Sequence, residues 1–202
     1  TVKCKKKIIV DTLHDLSVLK DTVAFVKCSG GRANATYKEM HFETCQEAAD
    51  QSDPRELQIC GAGCIGLGDC TKVCRYDAIH IEDGKAVIDP NRCVGCRDCT
   101  FACPKGLIEI VPYKGTKLVP CSSIADYDYK VKVCDSSCIA CEDCVSNCPN
   151  GAIHMEANHA CVDPEICENC QVCQYLCPRN IIVEQSVPEY NYLQRDALLA
   201  GE

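Results

Sequence analysis

The chain has 202 residues, a formal charge of −8 and 22 cysteines. Such acidity argues against a nucleic-acid partner, which needs a basic surface, and no run of about 18 apolar residues is available to span a membrane. With no Trp and 5% aromatic residues, the apolar bulk is too small for a large core, so something besides hydrophobic packing must hold the chain together.

Residues 1–59 read as a small segment of their own. Lys3, Lys5, Lys6 and Lys7 make a basic patch, read as a solvated face. Thr22 to Lys27 reads as a strand running into the turn Cys28-Ser29-Gly30-Gly31. Thr44-Cys45-Gln46-Glu47 has capping-box form and predicts a short helix ending near Gln51.

Four runs of cysteine follow. They are Cys60-x3-Cys64-x5-Cys70-x3-Cys74, Cys93-x2-Cys96-x2-Cys99-x3-Cys103-Pro104, Cys138-x2-Cys141-x2-Cys144-x3-Cys148-Pro149 and Cys167-x2-Cys170-x2-Cys173-x3-Cys177-Pro178. The last three match the bacterial ferredoxin run C-x2-C-x2-C-x3-C-P. Thiolates that close together can face one cubane, whereas disulfides between them would close tiny, strained loops. The spacing therefore predicts four [4Fe-4S] clusters in a reducing, cytoplasmic compartment, and electron transfer as their use. Each oxidised cubane with four thiolates carries roughly −2, which deepens the acidity and suits steering toward basic patches on redox partners.

The runs are duplicated. Within each half the motifs are offset by 29 residues (Cys70 to Cys99, Cys144 to Cys173), and between halves by 74 (Cys64 to Cys138, Cys103 to Cys177). Ala78-Ile79-His80 maps onto Ala152-Ile153-His154 without a gap. In each unit a cysteine loop and short helix lead into brief apolar strands, and Asp83-Gly84 is a strong hairpin signal. Ile108 to Val111 and Ile181 to Val183 are the expected closing strands. The fold class is α+β: two tandem bacterial 2[4Fe-4S] ferredoxin-like modules with a small N-terminal segment. The expected boundaries are 1–59, module 1 at 60–112, a linker at 113–133, module 2 at 134–187 and a tail at 188–202. The tail, with Tyr190, Tyr192, Leu193, Leu198 and Leu199, reads as a helix folded back on the modules or docked on a partner.

In two-cluster ferredoxins the fourth Cys of one run ligates the other cluster. That rule groups Cys93, Cys96 and Cys99 with Cys74, Cys138, Cys141 and Cys144 with Cys177, and Cys167, Cys170 and Cys173 with Cys148. The first run departs from it, because Leu67 stands where Cys141 stands in the second half and Arg75 replaces the proline. Cys60, equivalent to Cys134, is the nearest substitute, giving Cys60, Cys64, Cys70 and Cys103. The alternatives are Cys28 or Cys45 reaching in from upstream, or a three-iron cluster. Of the cysteines left over, Cys161 reads as a small buried hydrophobe and Cys4 as a terminal residue. Cys28, Cys45, Cys121 and Cys134 are either buried free thiols or a fifth metal site for zinc or a cluster.

His80 and His154 read as strand-edge polar residues, and His14, His41 and His159 have no identifiable partners. No G-x-G-x-x-G after a strand, P-loop or H-E-x-x-H occurs, and no acid–base constellation marks the chain as catalytic by itself.

Cys60-Gly61-Ala62-Gly63-Cys64-Ile65-Gly66-Leu67-Gly68-Asp69-Cys70, with Val26-Lys27-Cys28-Ser29-Gly30-Gly31 upstream and Cys121-Ser122-Ser123 between the modules, resembles the B subunit of the Rnf complex. The resemblance covers about residues 22–185, and in that family the variant first run is usual. It implies a subunit that takes electrons from soluble reduced ferredoxin and passes them to other subunits of a membrane ferredoxin–NAD oxidoreductase. Contact with the membrane is then expected through partners or an anchor upstream of Thr1, at the cytoplasmic face. The rival readings are an iron–sulfur subunit of a formate dehydrogenase, hydrogenase or bifurcating complex, and a zinc scaffold.

Overall fold

A computed structural model describes residues 22–31, 41–51, 60–113 and 115–185. The basic patch, Cys4, His14 and the tail from Pro188 lie outside the described residues.

Among the described residues, four two-stranded antiparallel sheets carry the fold. In chain order, β1 is Thr22–Val26, α1 Cys45–Gln51, α2 Asp69–Lys72, β2 Ile79–Glu82, β3 Lys85–Ile88, α3 Asp98–Ala102 and β4 Ile108–Pro112. The second half repeats this with β5 Thr116–Leu118, α4 Tyr127–Val133, α5 Asp143–Ser146, β6 Ile153–Glu156, β7 His159–Val162, α6 Val172–Leu176 and β8 Val183–Gln185. β2 pairs with β3 and β6 with β7 as hairpins, while β1 pairs with β4 and β5 with β8 across whole modules.

The hairpin expected at Asp83-Gly84 is present. Both residues have positive φ, 48° and 78°, as a type I′ turn requires. Ala157 and Asn158 take the same turn in the second half, at 40° and 69°. The expected cap forms in part: Glu47 N–H donates to Thr44 Oγ1 (3.0 Å), while the Glu47 carboxylate accepts from Glu43 N–H (3.1 Å), one residue before the capping-box position. β1 forms as expected, but its partner is β4, with Val23 opposite Val111. The strand upstream of Cys60 therefore closes the first ferredoxin-like sheet. β8 begins at Val183 and extends to Gln185, later than the apolar run at Ile181-Ile182 suggests. Those two isoleucines are buried in the core below the strand.

Each half has its own small core, and cysteines are part of both. The first packs Val23, Ala78, Ile79, Ile108 and Tyr113 around Cys70, Cys93 and Cys99. The second packs Val119, Ile153, Ile181 and Ile182 around Cys144 and Cys173. Gly66 shows how closely cysteine loop and hairpin approach. It has φ +83°, and a Cβ there would stand 2.3 Å from the Gly84 carbonyl oxygen.

Candidate iron–sulfur sites

Four or five residues of helix follow each cysteine loop, and each helix carries the third Cys of its run, buried. The residue before each helix is left-handed: Gly68, Arg97, Glu142 and Gln171, with φ of 83°, 74°, 64° and 69°. This backbone reversal wraps the loop, so that successive Cys residues of the run turn to one side. Only the first run uses glycine for it.

In module 2 the cysteines meet as the cross-ligation rule expects. Cys138, Cys141, Cys144 and Cys177 line one cavity, and Cys148, Cys167, Cys170 and Cys173 another. In module 1 the thiols of Cys93, Cys96 and Cys74 act electrostatically on Cys99, as does Cys70 of the neighbouring set. Arg75, at the proline position, bonds Asp98 on α3 (2.8 Å), a surface pair of small energetic weight.

The remaining set differs from the nearest-substitute reading. Cys64, Cys70 and Cys103 share their cavity with Cys45, not with Cys60. The reason lies in α1. Gln46 N–H donates to Asp69 Oδ2 at the start of α2 (2.9 Å), and Ala48 packs with Cys45, Ile65 and Leu67. The helix thus lies over the variant loop and brings Cys45 to a loop in which Leu67 supplies no thiol. Cys60 instead lines a separate cavity with Cys28, Cys121 and Cys134.

Backbone N–H groups point at many of these sulfurs. Ala24 donates to Cys93 Sγ (3.3 Å), Ala78 to Cys74 (3.3 Å), Leu107 to Cys103 (3.4 Å), Ala152 to Cys148 (3.3 Å) and Ala160 to Cys138 (3.4 Å). Such donors stabilise anionic sulfur and tune a bound cluster. Burial acts the other way on the free thiols. It pushes Cys70 up to about 12, with Cys64, Cys103 and Cys45 adding repulsion, and Cys144 likewise to about 12, with Cys138, Cys141 and Cys177. Thiols so disfavoured as anions become thiolates by binding metal, which couples cluster assembly to folding.

The twenty described cysteines other than Cys161 are free thiols. Cys161 lies on β7, 2% exposed. Among the described residues, no group of three or more His, Cys, Asp and Glu side chains is placed to hold a lone metal ion. Four-sulfur cavities with N–H donors suit a multi-iron cluster, so the residues present fit [4Fe-4S] groups. His80 is exposed on β2 beside Glu82 (2.9 Å), in keeping with a strand-edge residue, and His154 holds the equivalent place on β6.

A profile described as a 4Fe-4S dicluster domain matches residues 60–107 and 137–181, and a second of the same description matches 85–149. The chain is 36% identical over 163 residues to the B subunit of the Na(+)-translocating ferredoxin:NAD(+) oxidoreductase complex of Acetobacterium woodii, covering 79% of this chain and 48% of that protein. It is 36% identical to the B subunit of the ion-translocating oxidoreductase complex of Methanosarcina acetivorans, covering 78% of this chain and 60% of that protein. With the B subunit of the proton-translocating ferredoxin:NAD(+) oxidoreductase complex of Clostridium ljungdahlii it is 36% identical, covering 81% and 59%. The chain belongs to the family of Rnf B subunits. It spans about half to three-fifths of the length of these relatives. As an Rnf B-type chain it is an iron–sulfur protein with two dicluster domains. No helix among its described residues is long and apolar enough to cross a membrane.

Proposed function

We propose that the chain relays electrons, one at a time, from a reduced ferredoxin to other redox subunits of an Rnf-type ferredoxin–NAD oxidoreductase at the cytoplasmic face of a membrane. The observation that carries this reading is the sorting of cysteines from separate runs into four-sulfur cavities within each ferredoxin-like module. Four clusters are proposed, held by Cys45, Cys64, Cys70 and Cys103; by Cys74, Cys93, Cys96 and Cys99; by Cys138, Cys141, Cys144 and Cys177; and by Cys148, Cys167, Cys170 and Cys173. A cubane, when bound, supplies a centre that accepts and releases a single electron.

The protein's own residues hold the iron, direct N–H donors at sulfur and control exposure. Cys141 and Cys170 are exposed, whereas Cys96, the module 1 counterpart of Cys170, is half-buried. Module 2 therefore offers the nearer approach to a docking redox partner. The modules are proposed to extend upstream of residues 60 and 134, because β1 and β5 complete their sheets.

Lys117 is a second means of control. It is 1% exposed, lies against the cavity of Cys148, Cys167, Cys170 and Cys173, and bonds Glu184 and Gln174 (both 2.9 Å). A reduced cluster carries one more negative charge than an oxidised one, so a buried cation favours reduction. Lys117→Met is expected to lower that centre's potential by about 40 mV, equivalent to about 1 kcal/mol of charge interaction, in an EPR-monitored titration. An unchanged potential would show that Glu184 already cancels the charge.

The reading as a whole is tested on anaerobically purified protein. At least about 16 irons and 16 sulfides per chain, the content of four cubanes, with low-temperature EPR signals on dithionite reduction, are expected. Colourless protein carrying zinc, or a fully loaded chain that dithionite cannot reduce, would refute it.

A further inference from the structure

We infer that Cys28, Cys60, Cys121 and Cys134 form a fifth four-cysteine iron–sulfur site, placed where the two modules meet. The inference rests on the reading of the other four sets as cluster sites. These four residues come from both modules, up to 106 positions apart in the chain, yet line one cavity.

The cysteine count supports it first. The twenty free cysteines among the described residues divide into five sets of four with no remainder. The internal duplication supports it next. Cys60 and Cys134 are equivalent at the 74-residue offset. Cys28 follows β1 and Cys121 follows β5, the strands that pair with the last strand of each module. Each half thus contributes one corresponding pair, and the site has the internal symmetry of the chain.

Local geometry matches that of the other sets. Ser123 N–H faces Cys121 Sγ and Ser136 N–H faces Cys134 Sγ, each two residues on. The same relation holds for Cys64 with Gly66, Cys96 with Asp98 and Cys141 with Asp143. The segments are tied together around the cavity by Ser29 N–H to Pro120 O (2.9 Å) and Ser122 Oγ to Ala62 O (3.2 Å).

Charge points the same way. Lys130 lines the cavity at 1% exposure. It donates to Asn158 O, and no carboxylate among the described residues pairs with it. Lys105 Nζ clamps the loop after Cys60 through Gly61 O (2.7 Å) and Gly63 O (3.1 Å). A buried ammonium is costly without an anion, and a four-thiolate cluster of charge about −2 supplies one. A neutral cavity would leave Lys130 uncompensated.

The position has a consequence. Cys64 N–H donates to Cys28 Sγ (3.4 Å), and Cys138 N–H faces Cys121 Sγ. The fifth site therefore touches a ligand of each module's first cavity and joins the two pairs into one path.

Iron, sulfide, zinc and native mass are measured for the 202-residue chain and for Cys121→Ser/Cys134→Ser. About 20 irons and 20 sulfides are expected in the unsubstituted chain and about four fewer of each in the double variant. About 16 irons in the unsubstituted chain, with or without one zinc, overturns the fifth cluster but leaves the four-cluster reading standing. Fewer than that is failure of the four-cluster reading. If the double variant does not fold, native mass of the unsubstituted chain still counts its clusters and decides the matter.

Discussion

Replacing Cys45 with serine is expected to remove one cluster, about four irons, although Cys45 belongs to none of the four cysteine runs. The thiol sits on α1, which is anchored to α2 through Gln46 N–H and Asp69, and it shares its cavity with Cys64, Cys70 and Cys103. No other cysteine among the described residues is free to replace it, because Cys60 lies in the cavity of Cys28, Cys121 and Cys134. Pairs of substitutions separate the two sites. Losses at independent sites add, whereas losses at one site do not. Cys45→Ser/Cys121→Ser should lose about eight irons and Cys60→Ser/Cys121→Ser only about four. If Cys45→Ser keeps all its iron while Cys60→Ser lowers the EPR signal of the Cys64, Cys70 and Cys103 site, the assignment reverts to Cys60.

Val23→Asp is expected to unfold module 1 and leave module 2 loaded. Val23 has no exposed surface, stands near the centre of β1 opposite Val111, and anchors the core that contains Cys70, Cys93 and Cys99. Its neighbour Ala24 donates directly to Cys93 Sγ at 3.3 Å. An unpaired carboxylate there costs several kcal/mol after relaxation, as much as a small domain has in total. Iron should fall to about eight per chain, the content of two cubanes. Limited proteolysis should cut the first half while sparing 134–185. Full iron retention would mean that β1 is dispensable, and complete loss that the modules fold as one unit.

Much of this site is legible in local spacing. Three residues of each standard set lie within seven positions, and the cross-ligating fourth follows from the rule for two-cluster ferredoxins, so spacing and that rule together sort the cysteines of module 2 into the two sets that share cavities. The paired hairpins follow as well, since Asp83-Gly84 asks for positive φ at both turn positions. Cys45 is harder to place. Its only local signal is the capping box, which announces a helix but not the loop against which that helix packs. Leu67 signals that a thiol is missing without showing which residue replaces it.

The amino-acid order alone determined the cofactor chemistry, the tandem duplication and the short strands, because each depends on residues close together in the chain. Tertiary structure decided how Cys45 and Cys60 exchange their expected places, that β1 completes the first module, and that pairs from the two halves meet around Lys130. Those outcomes depend on which distant surfaces pack together, and side-chain spacing along the chain carries no measure of that.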